Sequence, residues 1–274
     1  LRDDVRLKLP ALEREIAASV YLPAAYGKAG STARQFPVVY LLHGLGDDHR
    51  AWPRLGRIKA TLDRMIDAKT LRPMVVVMPD AGKSWYVNDA RANGNGPVFD
   101  AFRGDLFRAV ERRFRVLACP DGRAVGGLSM GGYGGVLLGT AAPRAFAAVF
   151  SLSGAFFTEK LSDDPGRRAW LLSLYNGVHG TPPQPERLAT WSIFNRLAAI
   201  TPDRNVPPVW LSTADDDGFP SILPGNVRAF QILKSKGVTA ELRVDDGGHD
   251  WRYWRVAIVP ALKWSDRHMK AACP

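Results

Sequence analysis

From residue 36 onward the chain alternates short apolar runs with stretches in which apolar positions recur every third or fourth residue. The short runs, bounded by Gly, Pro or Asp, have the pattern of strands buried on both faces, and the longer spacing marks helices packed on one side. This predicts strands at 36–42, 73–79, 122–128, 146–152, 207–213 and 239–245, and helices at 56–68, 98–113, 130–141, 221–235 and 251–271. An earlier strand is predicted at 14–22, with antiparallel pairing at the start of the sheet, while residues 1–8 read as a polar segment. Regular alternation of strand and helix indicates an α/β fold with a mostly parallel, doubly wound sheet and helices on both faces. The alternation fails between 154 and 208, a stretch holding Trp170, Trp191, Pro182, Pro183, Pro185 and two short helical patterns. It is too long for a simple connection. It is expected to form a small cap insertion within a single domain spanning 1–274.

Candidate chemistry centres on Gly127-Leu128-Ser129-Met130-Gly131, at the junction of the predicted strand 122–128 and helix 130–141. A serine between two glycines at a strand-to-helix turn is the nucleophile elbow, which lifts the hydroxyl above the sheet edge. The N–H of the next residue, Met130, opens the helix and can face a developing oxyanion. The five-residue pattern alone is weak, and the flanking strand and helix give it weight. The segment also lacks the Gly-Lys-Ser/Thr ending of a phosphate-binding loop.

A serine nucleophile needs a base and an orienting acid, in the order Ser, Asp or Glu, His along this kind of chain. Of the five histidines, His179, His249 and His268 follow Ser129. His249 lies in Asp245-Asp246-Gly247-Gly248-His249-Asp250-Trp251, after the last predicted strand, and is the candidate base. His268 falls late in a helical pattern, and His179 follows no strand. The acid is sought after the strand 207–213, in Ala214-Asp215-Asp216-Asp217-Gly218-Phe219. Three adjacent carboxylates cannot all face one imidazole. The preference falls on Asp217, then Asp216, then Asp215, with the remaining two solvated or capping the following helix. The second oxyanion donor is placed at the Leu45 N–H, in His43-Gly44-Leu45-Gly46, where glycines allow close backbone approach. His43 is read as bracing that turn. Trp85 and Tyr86, on another loop at the same edge, either stack on an aryl or sugar group or seal the loop against the body.

These motifs resemble the esterase D-like α/β-hydrolases, which include feruloyl and acetylxylan esterases, S-formylglutathione hydrolases and mycolyltransferases. The resemblance rests on Val20-Tyr21-Leu22-Pro23, Leu41-Leu42-His43-Gly44, Val77-Met78-Pro79-Asp80, Gly127-Leu128-Ser129-Met130-Gly131-Gly132 and Gly247-Gly248-His249-Asp250-Trp251. It implies the α/β-hydrolase fold, Ser129 as nucleophile, His249 as base and the Leu45 and Met130 N–H groups as oxyanion donors. The family's Gly-x-x-Asp falls on Ala214-Asp215-Asp216-Asp217, with Ala in the first place, and implies Asp217. Gly-Gly-His-Asp-Trp is similar to the feruloyl and carbohydrate-esterase side. Leu128, where S-formylglutathione hydrolases carry His, argues against that branch.

The expected activity is hydrolysis of a small-molecule or carbohydrate ester through an acyl-enzyme, with no metal and no cofactor. Acyl transfer to an alcohol, thioester or peptide hydrolysis, and a non-catalytic binding role are the alternatives. The net charge of +10 raises the question of nucleic acid, but the arginines are scattered and their densest runs, such as 111–115, are short. No nucleic-acid partner is expected. No apolar run approaches the roughly 20 residues of a membrane span. The chain begins at Leu1 and not Met, which points to a removed upstream segment and a secreted or periplasmic destination, the cytoplasm being the alternative. The two cysteines, Cys119 and Cys273, should both reach the sheet's non-catalytic end. A bridge is geometrically open, yet two free thiols is the expectation.

Overall fold

The computed structural model describes residues 1–28, 33–141, 145–156, 163–201 and 205–273. Eight strands form one sheet in the order β1-β2-β4-β3-β5-β6-β7-β8. They are β1 (Arg2–Leu9), β2 (Arg14–Tyr21), β3 (Val38–Leu42), β4 (Val75–Pro79), β5 (Arg123–Leu128), β6 (Ala148–Leu152), β7 (Val209–Ala214) and β8 (Ala240–Asp245). Only β2 runs against the rest, pairing antiparallel with β1 and β4. Strands β3 to β7 are buried at every position, as parallel strands covered on both faces require. Helices alternate with them: α1 (Ala51–Arg54), α2 (Ile58–Asp67), α3 (Val98–Asp100), α4 (Leu106–Arg113), α5 (Met130–Ala141), α6 (Pro165–Tyr175), α7 (Pro185–Trp191), α8 (Ile193–Ala198), α9 (Ile222–Ser235) and α10 (Trp251–His268). A π-helical turn, Ala101–Asp105, joins α3 to α4.

Side chains alternate across each strand, so the sheet feeds two cores. Val38, Tyr40 and Leu42 of β3 face one side, with Val136 of α5 and Leu233 of α9. Val39 and Leu41 face the other, with Leu62 of α2 and Ile258 of α10. The predicted strands and helices thus all form, with ends shifted by a few residues.

Strand β1 departs from the expectation of a polar segment. Val5, Leu7 and Leu9 are buried while Asp4, Arg6 and Lys8 are exposed. This two-residue period is the mark of an edge strand with one face in water. Its low apolar content hid it among charged residues. The 154–208 insertion holds three helices, α6, α7 and α8, where two short patterns were expected; residues 157–162 and 202–204 within it lie outside the described residues.

The cysteines also correct the expectation of free thiols: Cys119 and Cys273 form a disulfide across a sequence separation of 154. Neighbouring contacts bring them together. Arg72 pairs with Asp266 (2.7 Å) and donates to the Met269 carbonyl (2.8 Å), and the Lys270 N–H donates to the Asp121 carbonyl (2.8 Å). The end of α10 is therefore held beside the loop that enters β5. Closing so long a loop restricts the unfolded chain, so replacing both cysteines by Ala should destabilise the protein by roughly 2–5 kcal/mol. Urea unfolding of the oxidised protein and the double variant measures this, and equal midpoints would show that the bridge adds nothing.

Candidate active site

Loops at the C-terminal ends of β3, β5, β7 and β8 converge on Ser129. The residue sits between β5 and α5 with φ +52°, a strained conformation for a residue with a side chain. Its backbone is fixed on both sides: Ser129 N–H donates to Leu152 O (2.9 Å), and its carbonyl accepts from Tyr133 N–H (3.0 Å) and Ala155 N–H (3.1 Å). The flanking glycines are sterically required. A Cβ on Gly127 would meet Leu42 O at 2.4 Å, and one on Gly131 would meet the same oxygen at 2.5 Å. The elbow is pressed against the end of β3 too closely for any larger residue.

His249 stands over the serine. Its Nε2 lies 2.9 Å from Ser129 Oγ and its Nδ1 lies 2.7 Å from Asp217 Oδ2. Asp217 is almost fully buried at its side chain (1% exposed) and its other oxygen accepts from Phe219 N–H at 3.0 Å. An ionised carboxylate facing Nδ1 holds the proton there and leaves Nε2 free to take one from the serine. Phe219 and Trp254 pack edge-on against the imidazole at 4.7 and 5.0 Å, which fixes the ring plane. Asp250, the next residue, caps α10 by accepting from Arg252 and Tyr253 N–H.

Of the three adjacent aspartates, only Asp217 reaches the imidazole. Asp215 Oδ1 instead accepts from Gly247 N–H (3.2 Å) and Asp216 N–H (3.0 Å), tying the acid loop to the histidine loop. Asp216 is exposed. Asp215 and Asp216 are thus both solvent-exposed, the first of the two readings offered for them, and no side chain caps α9. Asp215, Asp216 and Asp246 bring carboxylate oxygens within 4.8 Å of one another, and all three are exposed acidic groups of a kind common without an ion.

The Leu45 N–H is oriented from behind. Ala81 N–H donates to His43 Nε2 (3.0 Å), so the His43 proton resides on Nδ1, which donates to Gly44 O (2.8 Å). Asp47 N–H donates to the same carbonyl (3.2 Å). A trans peptide directs its C=O and N–H to opposite sides. Pinning Gly44 O to the buried imidazole therefore turns the Leu45 N–H away from it. Met130 N–H, the first of α5, has no acceptor within its own helix. These two donors belong to the turn after β3 and to the turn that carries Ser129 itself.

Trp85 and Tyr86 separate. Trp85 lines the cavity above Ser129, with its indole N–H donating to Leu174 O of the cap (2.8 Å). Tyr86 is fully buried and is not among the residues lining the cavity, so of the two readings offered for it the sealing of the loop against the body applies, not contact with substrate. Its hydroxyl donates to His43 O at 3.1 Å, and burial pushes the phenol well above its ordinary range, so it remains a donor that braces the turn. The cavity encloses about 480 Å³ and rises from Ser129 and His249 between Phe156, Leu171, Leu174 and Ile222. Trp170 of α6 stacks on Phe219 along its wall, 5.9 Å between ring centres. The 154–208 insertion thus supplies much of the pocket wall, as a cap over the site would, although Trp170 alone of these wall residues stood out in the sequence. Phe219 could have been found, since it directly follows the acid loop.

The chain matches the Esterase family, described as "Putative esterase", over residues 10–265. It belongs to that family. An acetyl esterase of Caldicellulosiruptor saccharolyticus is 26% identical over 237 residues, covering 84% of this chain and 83% of that protein. An esterase of Mycobacterium tuberculosis is 28% identical over 269 residues, covering 90% of this chain, which spans 55% of that longer protein. A solved ferulic acid esterase superposes with a TM-score of 0.78 at 27% identity, covering 96% of each chain. The protein is thus a serine-hydrolase-type α/β-hydrolase that acts on ester bonds. Among the described residues no helix is long and apolar enough to cross a membrane.

Proposed function

We propose that this esterase hydrolyses carboxylic esters of aryl or carbohydrate type through an acyl-enzyme on Ser129. The observation that carries this reading is the unbroken relay Asp217–His249–Ser129, at 2.7 and 2.9 Å, on the floor of an apolar cavity. As Ser129 Oγ attacks the ester carbonyl, His249 Nε2 takes its proton and then delivers it to the leaving alcohol. Asp217 stabilises the imidazolium that forms between these steps. The negative charge on the carbonyl oxygen falls between the Leu45 and Met130 N–H groups, which need no reorganisation to receive it. Water, activated by His249, then releases the acid. The apolar walls supplied by α6 and α9 suit an acyl group of aryl size.

The disulfide supports an oxidising compartment, secreted or periplasmic, as the site of action. Rates on an ester panel test the substrate class: p-nitrophenyl acetate, methyl ferulate, acetylated xylan, a thioester and a matched amide. The expected order places the aryl and carbohydrate esters above the thioester, with the amide essentially inert. A thioester preferred over every oxygen ester would contradict the reading, and product analysis with added sugar acceptors separates hydrolysis from acyl transfer.

A further inference from the structure

The cavity carries a carboxylate that the reaction described above does not use. Asp47 lies on the turn that presents the Leu45 N–H, and its side chain lines the cavity. Its Oδ2 is 3.4 Å, and Ser129 Cβ 3.8 Å, from the point where a Cβ on Gly44 would stand. The carboxylate and the reacting serine therefore share the space above Gly44. The adjacent Asp48 is neutralised by Arg50, whose Nε donates to it at 2.9 Å. The Asp47 side chain has no hydrogen bond or ion pair among the described residues. It is half-buried, and burial pushes its carboxyl above the usual range, against the opposing influence of His43.

An unpaired negative charge beside a carbonyl that must itself become negative works against the reaction. It becomes useful only if the substrate brings a donor to it. An ionised carboxylate accepts hydrogen bonds and donates none, so it suits a hydroxyl and repels a phosphate or a second carboxylate. The apolar walls of Phe156, Leu171 and Leu174 receive the acyl group and offer nothing to hydroxyls. That leaves the alcohol portion of the ester to meet Asp47. We propose that Asp47 accepts a hydrogen bond from a hydroxyl on the leaving alcohol, so that the enzyme prefers esters of polyhydroxylated alcohols such as sugars. This inference rests on the esterase reading and specifies the alcohol half of its substrate.

The test compares xylose monoacetate with ethyl acetate, which share an acyl group and differ in the alcohol. In the wild type the sugar ester is favoured. In Asp47→Ala, which removes the acceptor altogether, the ratio of kcat/KM values, sugar ester over ethyl ester, should fall about tenfold to a hundredfold, the loss typical of a hydrogen bond to a charged group. The ratio falls from both sides, because the sugar ester loses its acceptor while the ethyl ester gains from removal of the charge. A parallel fall on both esters, or a ratio changed by less than about fivefold, would overturn the inference. A measurement on the wild type alone guards against misfolding of the variant: the fully O-methylated xylose acetate cannot donate and should lose at least about tenfold in kcat/KM. Equal rates on the free and methylated esters would likewise overturn it. Failure of the wild type on p-nitrophenyl acetate and ethyl acetate alike would sink the esterase reading itself, a different outcome from a lost alcohol preference.

Discussion

Replacing Ser129 by Ala is expected to lower kcat/KM for p-nitrophenyl acetate by roughly 10⁴- to 10⁶-fold, the scale on which triad members act as a unit. The fold should survive. The hydroxyl makes a hydrogen bond to His249 Nε2, whereas the backbone of the elbow is held by Leu152, Tyr133 and Ala155 through main-chain bonds that Ala retains. The strained φ at this position is the same problem for Ser and Ala. Thermal unfolding close to wild type, together with lost turnover, would assign the effect to chemistry. Retention of most activity in a folded variant would remove Ser129 from the mechanism.

Asp217→Asn should cost about 10⁴-fold in kcat, by reversing the imidazole tautomer. The reason lies in the second oxygen of this carboxylate, which accepts from Phe219 N–H. An amide in the same place would keep its oxygen on that donor and turn its NH₂ toward His249 Nδ1. The ring would then carry its proton on Nε2, facing Ser129, and could not act as a base. Asp215→Asn and Asp216→Asn should have far smaller effects. Asp215 uses one oxygen to accept from Gly247 and Asp216 N–H, a role an amide oxygen can keep, and Asp216 is exposed. Steady-state rates of the three variants, read side by side, check the order. A severe loss in Asp216→Asn with a mild one in Asp217→Asn would contradict it.

The reach of sequence reasoning follows from what each element needs. The elbow was legible because Gly127 and Gly131 abut Leu42 O so closely that only glycine fits, and such a constraint is written in residue type. The buried strands were legible for the same kind of reason: two covered faces demand an unbroken apolar run. The register of the Asp run was a preference, because three identical side chains carry no pattern; the loop's backbone, bonded from Asp215 and Asp216 to residues of the histidine loop, sets which one points inward.

Elsewhere the information was tertiary. Tyr86 reads like Trp85 in sequence, and only the position of the His43 carbonyl directs its hydroxyl inward. The disulfide depends on where α10 ends, which is governed by the contacts of Asp266, Met269 and Lys270 with Arg72 and Asp121, far away in the chain. Strand β1 obeys a rule of alternation, but with three apolar residues among five charged ones its pattern was overridden by composition. Asp47 and Asp48 read alike in sequence, yet Asp48 is paired with Arg50 while Asp47 lines the cavity.

The most direct measurement is peptide mapping of the folded protein after reaction with a fluorophosphonate, which captures a serine only where a base activates it and donors receive the phosphonyl oxygen. A single adduct on Ser129 in the wild type, strongly slowed in His249→Ala, is the predicted result. Absence of an adduct, or one on another residue, would contradict Ser129 as the nucleophile and His249 as its base.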